Sequence, residues 1–302
     1  MRRLWDFFWG GVDPRVYAMV RIALAVGAFI NLVDLWPRRL MYFASTGMIS
    51  ADAVRKTTEG RLYGSVFYWV SSDAGVTAVF VAAAVAIVAL GVGFWTRAAA
   101  ALVLVWHLSY SHRAFPVLHG WDAVLRSYTF LVLISPSGRA WSLDHVLRPR
   151  PGDAGDVPTY GLRLMQWQLF VLYTTTVWLK VPDPFWRSGQ VLAYFSLSQY
   201  SRAPDDLFLV HHEWVSAIGT YLTIATELAI PWLLWFRRTR PLGLLGGFGL
   251  HLTIATTARL GVFSMCMIAP YLAFLERADV DWLVSLARVR TVRDLRARLS
   301  LV

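Results

Sequence analysis

Only two of the 29 basic side chains in this sequence are lysines, Lys56 and Lys180. Lys180 closes a long, mostly apolar segment, Leu162 to Leu179. Arginine stays protonated at any accessible pH, whereas a lysine in a low-dielectric site can give up its proton and act as a base. Gln166, Tyr173 and Lys180 stand seven residues apart, and Thr176 precedes Lys180 by four, so on a helix they fall on one face. Lipid offers no hydrogen-bond partners, so such a polar stripe must face the interior of a bundle or a wet cavity. Two readings of the lysine stand side by side. It is a base inside that cavity, or it snorkels to headgroups from a helix end. The stripe and the scarcity of lysine beside arginine favour the base.

Other polar groups sit in apolar surroundings. Glu227 precedes Pro231, which should kink its helix, and a carboxylate at that depth needs Arg21, Arg126 or Lys180 as partner, or a proton. His251 follows Gly243, Gly246, Gly247 and Gly249, whose small size marks close helix packing. It serves either an interhelical hydrogen bond or catalysis. Asp122 with Arg126, and His119 just before them, add further polar groups to one apolar segment. A metal site is not expected. His211 and His212 are adjacent and do not share a helix face, no His-x-x-x-His pair occurs, and Cys266 is the single cysteine.

The elements that must position these groups follow from composition. Hydrophobic residues make up 57% of the 302, charged residues 16%, and mean hydropathy is +0.48. This describes an all-α integral membrane protein. The net charge of +10 is explained by arginines clustered between spans rather than by nucleic acid. Bilayer thickness calls for spans of about 17–25 residues. Eight are expected near Val16–Trp36, Val76–Trp95, Ala98–Tyr110, Trp121–Ser135, Leu162–Leu179, Val215–Trp235, Leu242–Thr256 and Val262–Leu275. Arginine is densest in the segments that share a side with the N-terminus, so both termini are expected in the cytoplasm and Lys180 at the extracytoplasmic end. Leu4–Trp9, Leu62–Trp69 and Phe185–Tyr200 read as interfacial amphipathic helices. The expected organisation is a transmembrane domain over 1–276, a linker at 148–158 between two four-span halves, and a basic amphipathic tail over 277–302 with no large soluble domain.

Several segments carry a resemblance. Gln168 to Lys180, followed by Asp183 and Trp186, is similar to the aromatic-rich span of the vitamin K-dependent gamma-carboxylase family, which begins with Gln and ends in Lys before an acidic residue and Trp. Gly93-Phe-Trp-Thr-Arg97 resembles that family's short turn between its second and third spans. Trp141-Ser-Leu-Asp144 resembles its Trp-Ser-hydrophobic-Asp signature, and His251-Leu with Leu260 to Met265 its late His…Phe-Ser block. In size the chain resembles the bacterial members, the horizontally transferred transmembrane domain (HTTM) proteins, which include the membrane component of a sporulation-delaying toxin maturation system. The resemblance implies a bacterial cytoplasmic membrane, a reduced naphthoquinone cofactor (menaquinol or vitamin K hydroquinone), and oxygen and carbon dioxide as co-substrates. Lys180 would deprotonate the quinol, and the oxygenated product would be basic enough to take a carbon-bound proton. Tyr173, Gln166, Thr176, His251 and Glu227 would line the quinol cavity. The family's histidine in an Asn-Asn-His stretch has no direct counterpart. Leu118-His119-Gly120-Trp121-Asp122 stands there, leaving His119 and Asp122 to take its place.

The function expected is therefore quinol oxygenation (epoxidation) coupled to modification of a peptide or other substrate outside the cytoplasm. The partners expected are membrane lipid, a small secreted peptide and an accessory subunit. A second reading is a non-catalytic membrane partner for maturation or export of a peptide toxin, for which Lys180→Arg would be tolerated. A small transporter ranks last, since the mid-span prolines Pro231 and Pro270 lie only in the second half.

Overall fold

The structure is a computed structural model that describes residues 2–57, 59–60, 64–115, 118–149 and 155–286. Eight helices form the bundle among the described residues: α1 Pro14–Leu35, α2 Asp73–Val92, α3 Thr96–Arg113, α4 Gly120–Ile134, α5 Tyr160–Lys180, α6 Glu213–Trp235, α7 Arg240–Thr257 and α8 Phe263–Leu272. Each lies where a span was expected. Three stretches, Pro14–Phe43, Asp73–Val92 and Glu213–Trp235, are long and apolar enough to cross a membrane by length and composition. Val85, Leu102, Trp178, Trp232 and Leu245 are exposed on the outward faces of α2, α3, α5, α6 and α7. Large apolar side chains turned outward around a helical bundle are the signature of a lipid-facing surface. The chain is an all-α membrane protein.

Local chemistry sets the helix boundaries. Asp13 caps α1 by accepting the Arg15 N–H at 2.9 Å, with Pro14 in the first turn. Ser72 caps α2 through the Gly75 N–H at 3.2 Å. α2 ends at Gly93 in the left-handed conformation, φ +71°. That position is doubly reserved for glycine, because a Cβ there would lie 2.3 Å from Ser142 Cβ. α3 has no cap from its own preceding residue, and its cap comes from a distant loop. Asp144 accepts the N–H of Trp95 and of Thr96 at 2.8 Å each, and the Thr96 hydroxyl at 2.7 Å. Burial raises the Asp144 carboxyl, but these hydrogen bonds outweigh it and hold the group below its usual range.

Packing joins the two halves into one core. α1 lies against α2, α4 and α8, while α5 and α7 flank α6. α8, the last of the eight, reaches back to α1 and α4, where Gly27 leaves just enough room for Cys266. A two-residue antiparallel pairing of Gly11–Val12 with Val157–Pro158 ties the N-terminus to the start of α5. Arg21 is fully buried in α1 and bridges to the α4 side. Its guanidinium donates to the carbonyls of Ser137 and Trp141 at 2.5 Å each, Ala140 at 3.3 Å and Gly91 at 3.4 Å.

The surface helices expected at Leu4–Trp9 and within Phe185–Tyr200 are present as Arg2–Trp9, Pro184–Arg187 and Val191–Ser196. In the third expected segment the described part holds only a single turn, Val66–Tyr68. Of the basic tail, residues 277–286 are helical, and 287–302 lie outside the described residues, as do 150–154 of the linker.

Candidate functional site

Lys180 is the last residue of α5. On a helix each Cα–Cβ bond tilts toward the N-terminus, so a side chain at the C-terminal end is aimed back along the helix. Lys180 uses that direction to reach into the bundle. Its Nζ lies 2.5 Å from both carboxylate oxygens of Glu227, in α6. The pair is mostly withdrawn from solvent, with 20% of the lysine side chain and 11% of the glutamate side chain exposed. The Trp186 ring, just beyond α5, covers the ammonium at 4.5 Å from its centroid. Thr176, one turn before Lys180, donates its hydroxyl to the Tyr173 carbonyl at 2.9 Å and touches Glu227 Oε2 at 3.5 Å. Glu227 thus takes Lys180, of the three cations considered for it, as its partner. Snorkelling outward is not what this lysine does.

Two turns below Lys180 the same face of α5 presents Tyr173. Its hydroxyl lies 2.9 Å from His251 Nε2, on α7, and also hydrogen-bonds the Tyr271 hydroxyl, on α8. His251 sits between the rings of Phe263 and Tyr271, at 5.6 and 6.0 Å between centroids. Glycine makes this approach possible. A Cβ on Gly247 would stand 2.5 Å from Tyr271 Cζ, and one on Gly243 would stand 2.9 Å from the Leu234 nitrogen. His251 is buried, and its Nδ1 has no hydrogen-bond partner. The interhelical hydrogen bond expected of His251 is present, and it uses one ring nitrogen only.

A model of the HTTM domain matches residues 65–282 of this sequence. The chain belongs to the HTTM family. No curated protein and no solved structure matches it. The HTTM stretch holds α2 to α8 and with them every residue of the Lys180 and Tyr173 groups.

The remaining candidates in this HTTM chain lie elsewhere. Gln166 shares the face of Tyr173 and Lys180, yet at a rise of 1.5 Å per residue it sits about 21 Å from Lys180 along the axis. There it donates to the Ala273 carbonyl at 2.8 Å and accepts from Arg163 at 2.9 Å. Asp122 belongs to a network of α1, α3 and α4. Its Oδ1 accepts the Tyr110 hydroxyl at 2.6 Å and its Oδ2 the His119 N–H at 2.7 Å. Asn31 closes that network by accepting from the Trp121 indole at 2.8 Å and donating to the Tyr110 hydroxyl at 3.3 Å. The His119 ring stacks on Trp121 at 4.1 Å. Among the described residues no hydrogen bond or ion pair joins this network to Lys180. Tyr271, Asn31 and Tyr110 join these two groups without having been expected from the sequence. Their aromatic or amide character inside apolar segments was the available signal. Among the described residues no three His, Cys, Asp or Glu side chains are grouped as metal ligands.

Proposed function

We propose that this HTTM chain is an eight-span protein of a bacterial cytoplasmic membrane, with both termini inside, and that Lys180 is the base of a gamma-carboxylase-like reaction on a reduced naphthoquinone. The observation that carries this reading is the lysine that turns into the bundle to meet a single carboxylate. Moving one proton from the ammonium to Glu227 removes both charges at once. At 2.5 Å the two form a contact pair, and Glu227 is the nearest group able to carry the proton that Lys180 gives up before it takes a hydroxyl proton from a bound quinol. Trp186 covers that point.

The residues present suit a quinol ring. Thr176, Tyr173 and the unpartnered Nδ1 of His251 offer hydrogen bonds, and Trp186, Phe263 and Tyr271 offer aromatic faces. Menaquinol or vitamin K hydroquinone, when bound, supplies the electrons that reduce oxygen. Carbon dioxide is the further co-substrate if the modification is a carboxylation, and a small secreted peptide is the substrate class that reaches Lys180 from the extracytoplasmic side. Gln166, His119 and Asp122 serve packing on this reading. The non-catalytic alternative, a membrane partner in toxin-peptide maturation, treats the same Lys180–Glu227 pair as an assembly contact.

Quinol turnover separates the two. Purified protein in nanodiscs is supplied with reduced menaquinone and oxygen, and epoxide is followed for wild type, Lys180→Ala and Lys180→Arg. Epoxide from wild type alone is the expected result, since guanidinium cannot give up its proton. Absence of epoxide from all three, with Lys180→Arg still supporting the cellular phenotype, would replace the enzyme with the assembly partner.

A further inference from the structure

The two sequence landmarks that the Lys180 chemistry leaves unused, Gly93–Arg97 and Trp141–Asp144, come together around a cleft of about 290 Å³ at the start of α3. Arg97, Arg139, His145 and Arg148 line it, together with Trp95 and Asp144. The single carboxylate on this wall is already committed. Both Asp144 oxygens are taken by the Trp95 and Thr96 N–H groups and the Thr96 hydroxyl. The N-terminus of α3 is therefore satisfied internally and is not what would attract a ligand. The arginines are different. Arg97 holds no ion pair among the described residues, while Arg148 lies within electrostatic reach of Asp144 and has its guanidinium 5.7 Å from the centroid of the Trp95 ring, so the cleft carries four basic side chains against one carboxylate.

The cleft is also stiff. Arg21 anchors the carbonyls of Ser137, Ala140 and Trp141 from beneath. Gly138 lies so close to α3 that a Cβ there would meet Thr96 Oγ1 at 2.7 Å. Next in sequence to the lining residues Trp95, Asp144, His145 and Arg148, the apolar Phe94, Leu143, Val146 and Leu147 are exposed, the last two at 70% and 62%. Guanidinium groups recognise phosphate oxygens with a planar fork, and apolar side chains beside them match the acyl region of a bilayer. Basic side chains and exposed aromatic and aliphatic residues in one place are the composition of a membrane interface.

We infer that this cleft binds the phosphate of an anionic phospholipid headgroup between Arg97 and Arg148, with the acyl chains lying over the apolar rim. The site is independent of the Lys180 chemistry and lies at the opposite end of the α3–α4 hairpin from His119 and Asp122. A free phosphate ion shares the recognition chemistry but would gain nothing from Val146 and Leu147, which is why the lipid form is the one assigned.

The test uses the full chain in neutral detergent micelles doped with phosphatidylglycerol or phosphatidylcholine, or supplied with inorganic phosphate at matched ionic strength. Thermal midpoint and retained lipid by native mass spectrometry are read for wild type, R97Q/R148Q, R97K/R148K and R237Q/R238Q. Phosphatidylglycerol alone should raise the midpoint of wild type and of R237Q/R238Q, which removes equal charge at another turn. Its affinity should fall by roughly 30-fold in R97Q/R148Q, at about a factor of five per basic residue near a charged leaflet. R97K/R148K keeps the charge and loses the fork, so its phosphatidylglycerol affinity should fall measurably but by less than in R97Q/R148Q. If the glutamine pair does not fold, undiminished binding in the lysine pair would overturn the inference in its place. Equal loss in R237Q/R238Q, undiminished binding in R97Q/R148Q, or equal stabilisation by inorganic phosphate would each overturn the inference.

Discussion

Arg21 and Lys180 are both cations withdrawn into apolar helices, and the molecule satisfies them in opposite ways. Arg21 is fully buried and is met by four backbone carbonyls from Gly91, Ser137, Ala140 and Trp141. Lys180 is a fifth exposed along its side chain and is met by one carboxylate and the face of one ring. Carbonyls cannot take a proton, and a guanidinium does not release one, so the Arg21 arrangement is electrically fixed and serves to hold a loop. A lysine beside a carboxylate can redistribute its proton without moving a heavy atom. Burial of a cation therefore says little about its role, and the chemistry of its partners says much more.

The largest effect expected is the loss of the Arg21 clamp. In Arg21→Ala each carbonyl left buried without a donor costs about 1–3 kcal/mol. Four together rival the roughly 5–15 kcal/mol by which whole folds are stable. The variant should fail to accumulate as a monodisperse detergent-solubilised species. Arg21→Lys keeps the charge but offers three donors to four acceptors, and should fold with a lowered thermal midpoint. A wild-type midpoint for Arg21→Ala would mean that the loop holds itself.

Lys180 should behave in the reverse manner, with turnover lost and the fold kept. Removing a general base typically lowers a rate by about 10²–10⁴-fold. Lys180→Arg should show at least that loss in quinol turnover while its midpoint stays near that of wild type. Lys180→Met alone strands Glu227, and breaking a buried pair from one side costs about 3–5 kcal/mol before discounting for the exposed fifth of this lysine. Lys180→Met/Glu227→Gln removes both charges and should be more stable than Lys180→Met. If the double variant were the less stable of the two, the pair would be a structural staple like the Arg21 clamp.

The comparison also explains what could be read from the sequence. Lys180, Glu227, Tyr173 and His251 announced themselves because polar side chains in apolar helices have few possible destinations. The seven-residue stripe gives the face of α5, and its spacing also sets Gln166 about 21 Å below Lys180, too far to share one small cavity. Gln166 thus shares the face and lands among Arg163 and Ala273 instead. Arg21 offered only the knowledge that it needed partners. A carboxylate was the natural expectation, and the carbonyls it found belong to residues about 70 to 120 positions away. In the sequence Tyr271 is one more aromatic, next to Pro270. Its role depends on a gap left by Gly247 on another helix, and such complementarity is a property of the pair that neither sequence segment displays.

Gly247 gives a smaller effect and tests that gap directly. In Gly247→Ala the added methyl would meet the Tyr271 ring at 2.5 Å, and overpacking of this kind costs about 1–3 kcal/mol. Displacing Tyr271 should also loosen its hydrogen bond with Tyr173 and lower quinol turnover. Gly249, two residues on in the same helix, has nothing within 4 Å of a built Cβ. Gly249→Ala should match or exceed wild-type stability, since alanine is the better helix former by about 1 kcal/mol. Equal behaviour of the two variants would argue that α7 is not held at this distance from α8.

The last comparison separates scaffolding from substrate contact at Tyr173. Tyr173→Phe removes one hydroxyl and leaves His251 Nε2 and the Tyr271 hydroxyl each short of a partner, at about 1–3 kcal/mol apiece. If the hydroxyl only holds α7 and α8 against α5, Tyr173→Phe and Tyr271→Phe should lower the midpoint and turnover by similar, modest factors, and KM for the quinol should stay put. If Tyr173 meets the quinol oxygen, Tyr173→Phe should depress kcat/KM well beyond its effect on the midpoint, while Tyr271→Phe should not. Combining either change with His251→Phe sharpens the distinction, because residues in one hydrogen-bonded network are not additive. A Tyr173→Phe/His251→Phe variant no worse than Tyr173→Phe alone would mean that the histidine acts only through the tyrosine. A further loss on adding His251→Phe would assign His251 Nδ1 a contact of its own, as its unpartnered state beside Phe263 suggests.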